Sequence, residues 1–169
     1  MLQIKKMRMP TCAEYSLLAD VAKEDNDIMH WEDVFSWCQD VDRKYPSYRA
    51  VRGYLLARFW HGSTASDRSA NVGFRPAMDI LTADTLGNDG TIVTAGTLYM
   101  SGLPVKVPQN PVWKGDIPDY APHAKLELRE ALDDPAYQMK VIRVGNVLIA
   151  DRVLLKNISW NDLHKQGIR

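Results

Sequence analysis

Apolar residues in the first forty positions recur at helical spacing. Leu17, Leu18, Val21 and Ala22 form a stripe within residues 11–24, and Thr11 with Glu14 makes a Thr-x-x-Glu capping box just after Pro10. A helix is therefore predicted over 11–24. The polar run Glu24 to Asp27 separates it from a second stripe, Trp31, Val34, Phe35, Cys38 and Val41, which predicts a helix over 30–43 ended by Pro46. Trp37 falls off that stripe and is expected to pack against another element.

From Tyr48 the pattern changes to short β-type runs. Residues 48–52 and 73–81 read as strands around a polar, contact-rich stretch, and Thr91–Met100 is β-branched and alternating after an Asn88-Asp89-Gly90 turn. Leu103–Val107 follows a Ser101-Gly102 turn. Prolines at 104, 108, 111, 118 and 122 mark a loop-rich connector. Strands are predicted again at Lys125–Arg129 and Gln138–Val144, and Gly145-Asn146 is a two-residue hairpin turn into Val147–Ala150. Ser159 as N-cap and Gly167 just past the end frame a short helix near 159–166. These elements divide into a mixed helix-and-strand unit, 1–85, and a β-rich accessory or oligomerisation module, 86–169.

Composition narrows the classes. The 169 residues are 46% hydrophobic and 25% charged with zero formal net charge, an ordinary globular balance that lacks the basic excess of a nucleic-acid or membrane-surface binder. No apolar run approaches the ~20 residues of a spanning helix, and the N-terminal segment has no apolar signal core. Cytoplasmic synthesis without membrane insertion is expected, with virion association as a further destination. Cys12 and Cys38, both predicted on helices, read as structural thiols because no second Cys or His sits at ligand spacing.

Several short segments carry a family resemblance. Arg8-Met9-Pro10-Thr11-Cys12-Ala13-Glu14-Tyr15 resembles the Arg-Leu-Pro-Thr-x-x-Glu-Trp opening of the formylglycine-generating-enzyme branch of the C-type lectin fold. Tyr48-Arg49-Ala50-Val51-Arg52-Gly53 is similar to that branch's Arg-Val-x-Arg-Gly-Gly strand. Arg68-Ser69-Ala70 and Gly73-Phe74-Arg75 match its Arg-x-Ala and Gly-Phe-Arg signatures in the same order. The resemblance covers roughly residues 8–80. It implies an α+β, C-type lectin-like fold: two helices with short, twisted antiparallel strands and long loops, followed by the small β-rich module. Phe74 would anchor the core, and Arg52 and Arg75 would pair with carboxylates such as Glu14.

Within that branch the chain resembles variable proteins of diversity-generating retroelements and phage receptor-binding proteins. By that likeness the displayed, ligand-binding positions would be Tyr54, Leu55, Arg58, Trp60, His61, Ser63, Thr64, Asp67 and Asn71, with Trp60 and Tyr54 as anchors. Phe59 reads equally as core. Aromatics offer rigid contact area, and Ser, Thr and Asn offer adaptable hydrogen bonds.

Catalytic motifs are not recognised. The cysteine pair of the formylglycine-generating enzymes has no counterpart near the C-terminus, and His30, His61, His123 and His164 are scattered without chelating spacing. Trp160-Asn161-Asp162 has the letters of a calcium-lectin strand but follows Ser159 as a capped helix start. There is no Gly-x-Ser-x-Gly and no phosphate-cradling glycine pattern. The expectation is a non-enzymatic protein with no cofactor and no metal, recognising a protein or glycan on a host or partner surface, with a homo-oligomer open. The alternatives are a virion assembly protein and a metal oxidase of the formylglycine-generating type.

Overall fold

A computed structural model describes residues 6–22, 34–42, 44–53, 60–81, 87–110 and 113–169, with only the backbone of Trp60 and His61. Among the described residues the chain forms two α-helices, α1 (Cys12–Ala22) and α2 (Trp160–Lys165), and eleven strands. The strands are β1 (Phe35–Val41), β2 (Tyr48–Gly53), β3 (Trp60–Thr64), β4 (Val72–Phe74), β5 (Ala77–Asp79), β6 (Ile92–Met100), β7 (Leu103–Pro104), β8 (Leu126–Arg129), β9 (Met139–Val144), β10 (Val147–Ala150) and β11 (Leu155–Lys156).

Two curled sheets result. The first runs β11-β4-β1-β2-β3, antiparallel except for the parallel pair β1–β4. The second runs β5-β10-β9-β6-β7, with β8 also on β6, and is antiparallel throughout. Strands from before and after residue 85 interleave in both: β11 pairs with β4, and β10 pairs with β5. One hydrophobic cluster reaches from Met7 to Ile168 through Trp37, Phe74, Met78, Leu148 and Leu163. A second cluster seats Leu18, Ala19 and Ala22 of α1 on Ala77, Ile142 and Ile149.

The architecture is β-rich, which overturns the helix-containing α+β lectin-like expectation. The difference is concentrated in the second predicted helix. Its described part, 34–42, contains strand β1, so Cys38 lies on a strand; His30 and Trp31 lie outside the described residues. β1 is flanked by β2 and β4 and covered on both faces, so Ser36, Trp37 and Cys38 are all buried in succession. A strand buried on both faces loses its period-2 alternation, and the remaining apolar positions imitate helical spacing. Ser36 accepts from the Tyr15 hydroxyl at 2.7 Å on one side; on the other, Trp37 donates its indole N–H to the Ile158 carbonyl at 2.8 Å. An irregularity in the β1–β2 register falls between Trp37 and Val41, and the Trp160 indole donates to the Cys38 carbonyl at 3.1 Å there.

The locally encoded elements form where the pattern puts them. At the start of α1, Glu14 N–H donates to Thr11 Oγ1 and Thr11 N–H to Glu14 Oε1, at 3.1 and 2.8 Å, closing the capping box. Leu17, expected in the buried stripe, is instead 54% exposed; Tyr15 and Ala19 join Leu18 and Ala22 on the buried face. Ser159 caps α2 reciprocally with Asp162. No helix among the described residues is long and apolar enough to cross a membrane.

Candidate functional site

Of the expected display positions, Ser63, Thr64, Asp67 and Asn71 are described with their side chains. Tyr54, Leu55, Arg58 and Phe59 lie outside the described residues, and of Trp60 and His61 only the backbone on β3 is described, opposite Arg52 and Val51. Ser63 is half-buried opposite Arg49, and Thr64 is exposed opposite Tyr48. Asp67 is exposed in the following turn, where its N–H donates to the Thr64 carbonyl at 2.9 Å. Asn71 is exposed at the far end of the same sheet. Its carbonyl accepts from Phe35 N–H at the start of β1, and its side chain accepts from Lys114 Nζ at 2.7 Å.

Thr64 adjoins the turn between β1 and β2, which sequence reasoning passed over. Tyr45 and Tyr48 project there, 51% and 39% exposed, with ring centroids 5.7 Å apart and tilted by 41°. Lys44 Nζ stands 5.4 Å from the Tyr45 ring centroid. The Tyr48 ring lies over Gly62 of β3, where a Cβ would come within 3.3 Å of Tyr48 Cδ2 and of Asp42 Oδ2. The result is an exposed pair of aromatic rings beside Thr64, and the chain continues from there into exposed Ser66 and Asp67. Lys-Tyr-Pro-Ser-Tyr is the signal that could have found it: a Pro-Ser pair marks a surface turn, and the two tyrosines that flank it are displayed with it.

This turn is held in shape by its own polar groups. Asp42 Oδ1 accepts from the N–H groups of Lys44 and Tyr45 at 2.9 and 3.1 Å, and Tyr48 N–H donates to the Tyr45 carbonyl at 2.8 Å. Ala65 N–H donates to the Ser47 carbonyl at 3.1 Å, tying the turn to the end of β3. Arg49 braces it from below, donating from Nη1 to the carbonyls of Pro46 and Tyr48 at 2.8 and 3.0 Å. The Arg49 guanidinium sits 4.4 Å from the Trp160 ring, and that ring stacks on His164 at 4.5 Å and 17°. A cation–π layer of this kind fixes the hairpin to α2.

The ion pairs serve as scaffold. Arg8 forks onto Glu14 with two 2.7 Å bonds and reaches Asp79 at 2.9 Å. Glu14 is thus held by Arg8. Arg52 donates to the Cys12 carbonyl and Ser16 Oγ, and Arg75, wholly buried, donates to Ser36 Oγ and the Ala150 carbonyl. Arg68 grips Asp162 at 2.6 and 2.8 Å. Burial is the largest influence on the Glu14 and Asp162 carboxyls and pushes both up. The guanidinium hydrogen bonds, the bonds from Thr11 and Ser159 and the attraction of the arginine charge together outweigh it and hold both below the ordinary range.

A cleft of about 240 Å³ lies beside α2, between Tyr120, His123, Lys125 and Lys165. It is smaller than the usual small-molecule pocket of roughly 300–1,000 Å³. Gln166 Nε2 donates to the Tyr120 hydroxyl, which itself donates to the Ala124 carbonyl, so these wall groups bond to each other. Among the described residues, no three His, Cys, Asp or Glu side chains are grouped to hold a metal ion. No protein family, curated protein or solved structure matches this chain.

Proposed function

We propose that this chain is a non-enzymatic binding protein that recognises a protein or glycan through the face around the β1–β2 turn. The observation that carries the reading is the exposed Tyr45–Tyr48 pair, braced by Asp42 and Arg49 and set beside Thr64. Tyrosine supplies broad amphipathic contact with few torsions to freeze, and short hydroxyl and carboxylate side chains supply hydrogen bonds at its rim. An exposed face of this kind, with no enclosing pocket around the rings among the described residues, suits a macromolecular surface or an extended glycan better than a small enclosed substrate. The order of the Arg-Gly and Gly-Phe-Arg segments supports an origin in a phage or retroelement cassette.

A second reading, a virion assembly protein, is favoured by two exposed apolar side chains away from that face, Leu103 at 71% and Trp113 at 58%. One experiment separates them. Purified wild type and the double variant Tyr45→Ala/Tyr48→Ala are compared on glycan and protein arrays, with molecular mass in solution measured at micromolar concentration. Binding by the wild type that falls at least tenfold in the double variant, with the fold intact, supports recognition through this face. Undiminished binding by the double variant removes the Tyr45–Tyr48 face from the reading. No array binding, together with a fixed oligomer broken by Trp113→Ala, supports assembly instead.

A further inference from the structure

The polar groups that line the cleft beside α2 divide into those already bonded and those left over. The Tyr120 hydroxyl donates to the Ala124 carbonyl at 2.7 Å and accepts from Gln166 Nε2 at 3.0 Å. Gln166 Oε1 accepts from Leu126 N–H at 2.8 Å, and its Nε2 also reaches the Asp162 carbonyl at 3.3 Å. The Asp162 carboxylate is taken by both ends of the Arg68 fork and by Ser159 N–H. These groups make a fixed wall whose bonding capacity is largely used. The polar side chains that remain are Lys125, Lys165 and His123, all exposed and all donors.

Among the described residues, Lys165 Nζ and the His123 ring make no hydrogen bond or ion pair. Lys125 meets Glu127 at 3.3 Å while 78% exposed, and Glu127 is shared with Arg129. A pair this exposed is exchanged for another anion at little cost. His123 has φ +66°, a left-handed conformation uncommon for a residue with a Cβ. The turn that imposes it is closed by Ala124 N–H on the Ala121 carbonyl at 3.0 Å and by the Tyr120–Ala124 bond. A backbone held this way at a cleft, with an unspent ring, is a feature that binding sites use. Lys6 adds positive charge nearby: a Cβ at Gly167, next to Gln166, would lie 3.2 Å from its Nζ.

We propose that this cleft binds the phosphate group of a small phosphomonoester through Lys125, Lys165 and His123. Unspent cations and donors beside a wall with its acceptors occupied select an anion. The kind of anion follows from the kind of donor. A planar carboxylate is matched by a guanidinium fork, and the fork at this cleft, Arg68, is committed to Asp162. Two ammonium point charges and an imidazole N–H suit a compact, doubly charged, tetrahedral group instead. The volume of about 240 Å³ sets the size, room for a phosphate with a few carbon atoms rather than a larger ligand. Neither the Tyr45–Tyr48 face nor the reading built on it is involved.

The test is calorimetry of the full chain in phosphate-free buffer with glycerol 3-phosphate, inorganic phosphate, glycerate and glycerol. Glycerol 3-phosphate should bind one to one, more tightly than inorganic phosphate and about tenfold or more tighter than glycerate, while glycerol gives no heat. Titration should also move the His123 ring-proton resonances of the wild type. The double variant Lys165→Gln/His123→Asn should weaken binding by about tenfold or more with unchanged circular dichroism. Asparagine is chosen at 123 because it accepts the left-handed backbone. Lys140→Gln should bind as the wild type does: Lys140 is paired with Thr94, about 20 Å along β6 from Met100, the partner of Leu126. The proposal is overturned if no probe binds, if glycerate or inorganic phosphate binds as tightly as glycerol 3-phosphate, or if the His123 resonances stay fixed. It is equally overturned if the double variant binds as the wild type does, or if Lys140→Gln loses as much as the double variant.

Discussion

Asp162 meets three demands with one carboxylate. It closes the α2 capping box through Ser159 N–H at 2.9 Å, and it accepts both ends of the Arg68 fork. Glu14 does the same at α1, with Thr11 and Arg8 as its donors. Because both carboxyls titrate below their unfolded values, their contribution is fully present above the unfolded pKa and is lost as pH falls through the folded one. The urea midpoint of the wild type should be level above about pH 5 and drop below about pH 4. Replacing both by Glu14→Gln and Asp162→Asn should lower stability by about 1–3 kcal/mol at neutral pH. The gap between wild type and variant should then close as the medium is acidified. A gap independent of pH would mean that the charges themselves contribute nothing. Both capping boxes are legible in the sequence, since Thr-x-x-Glu and Ser-x-x-Asp are local codes. Their arginine partners are not, because Arg68 and Asp162 meet only after β11 has folded back onto β4.

At the scale of elements, β4 and β11 show why one glycine is required. Gly73 stands in sequence only as the first letter of the Gly-Phe-Arg segment, and its physical reason is the neighbouring strand. A Cβ at Gly73 would collide with the Leu155 carbonyl oxygen and with Val153 Cγ1, so β11 can approach β4 only if that carbon is missing. Gly73→Ala should destabilise the protein by about 2–3 kcal/mol and lower the melting temperature by roughly 5–10 °C. Thermal denaturation measures it directly, and an unchanged midpoint would mean that β11 can move away at no cost. The β1–β2 turn illustrates the opposite situation. Its tyrosines stay exposed while Asp42 and Arg49 satisfy the turn's backbone groups.

At the scale of the whole molecule, the core cluster from Met7 to Ile168 joins strands that lie far apart in sequence. β5 and β11 each leave the chain segment they belong to and complete the other segment's sheet. A structure tied in this way should unfold in one cooperative step. Tryptophan fluorescence, with Trp37 buried and Trp113 exposed, and far-ultraviolet circular dichroism should give coincident thermal transitions. Two separated transitions would mean that the stretches on either side of residue 85 hold themselves together independently.

The sequence by itself determined the elements whose code is short-range. These are α1 with its capping box, β6, β8, the β9–β10 hairpin turning at Gly145-Asn146, and α2 between Ser159 and Gly167. Hydrogen bonds across three or four residues and β-branched runs closed by turn residues are written in neighbouring letters, so they can be read there. Only the tertiary structure decided that residues 35–41 form a central strand, that Asn71 stands apart from Thr64 and Asp67, and that the start of α1 is bonded to β1 through Cys12 and Asp40. Each of those depends on what covers a surface, and the covering residues come from distant parts of the chain: α1 and α2 over β1, Lys114 over Asn71, β1 beneath Cys12.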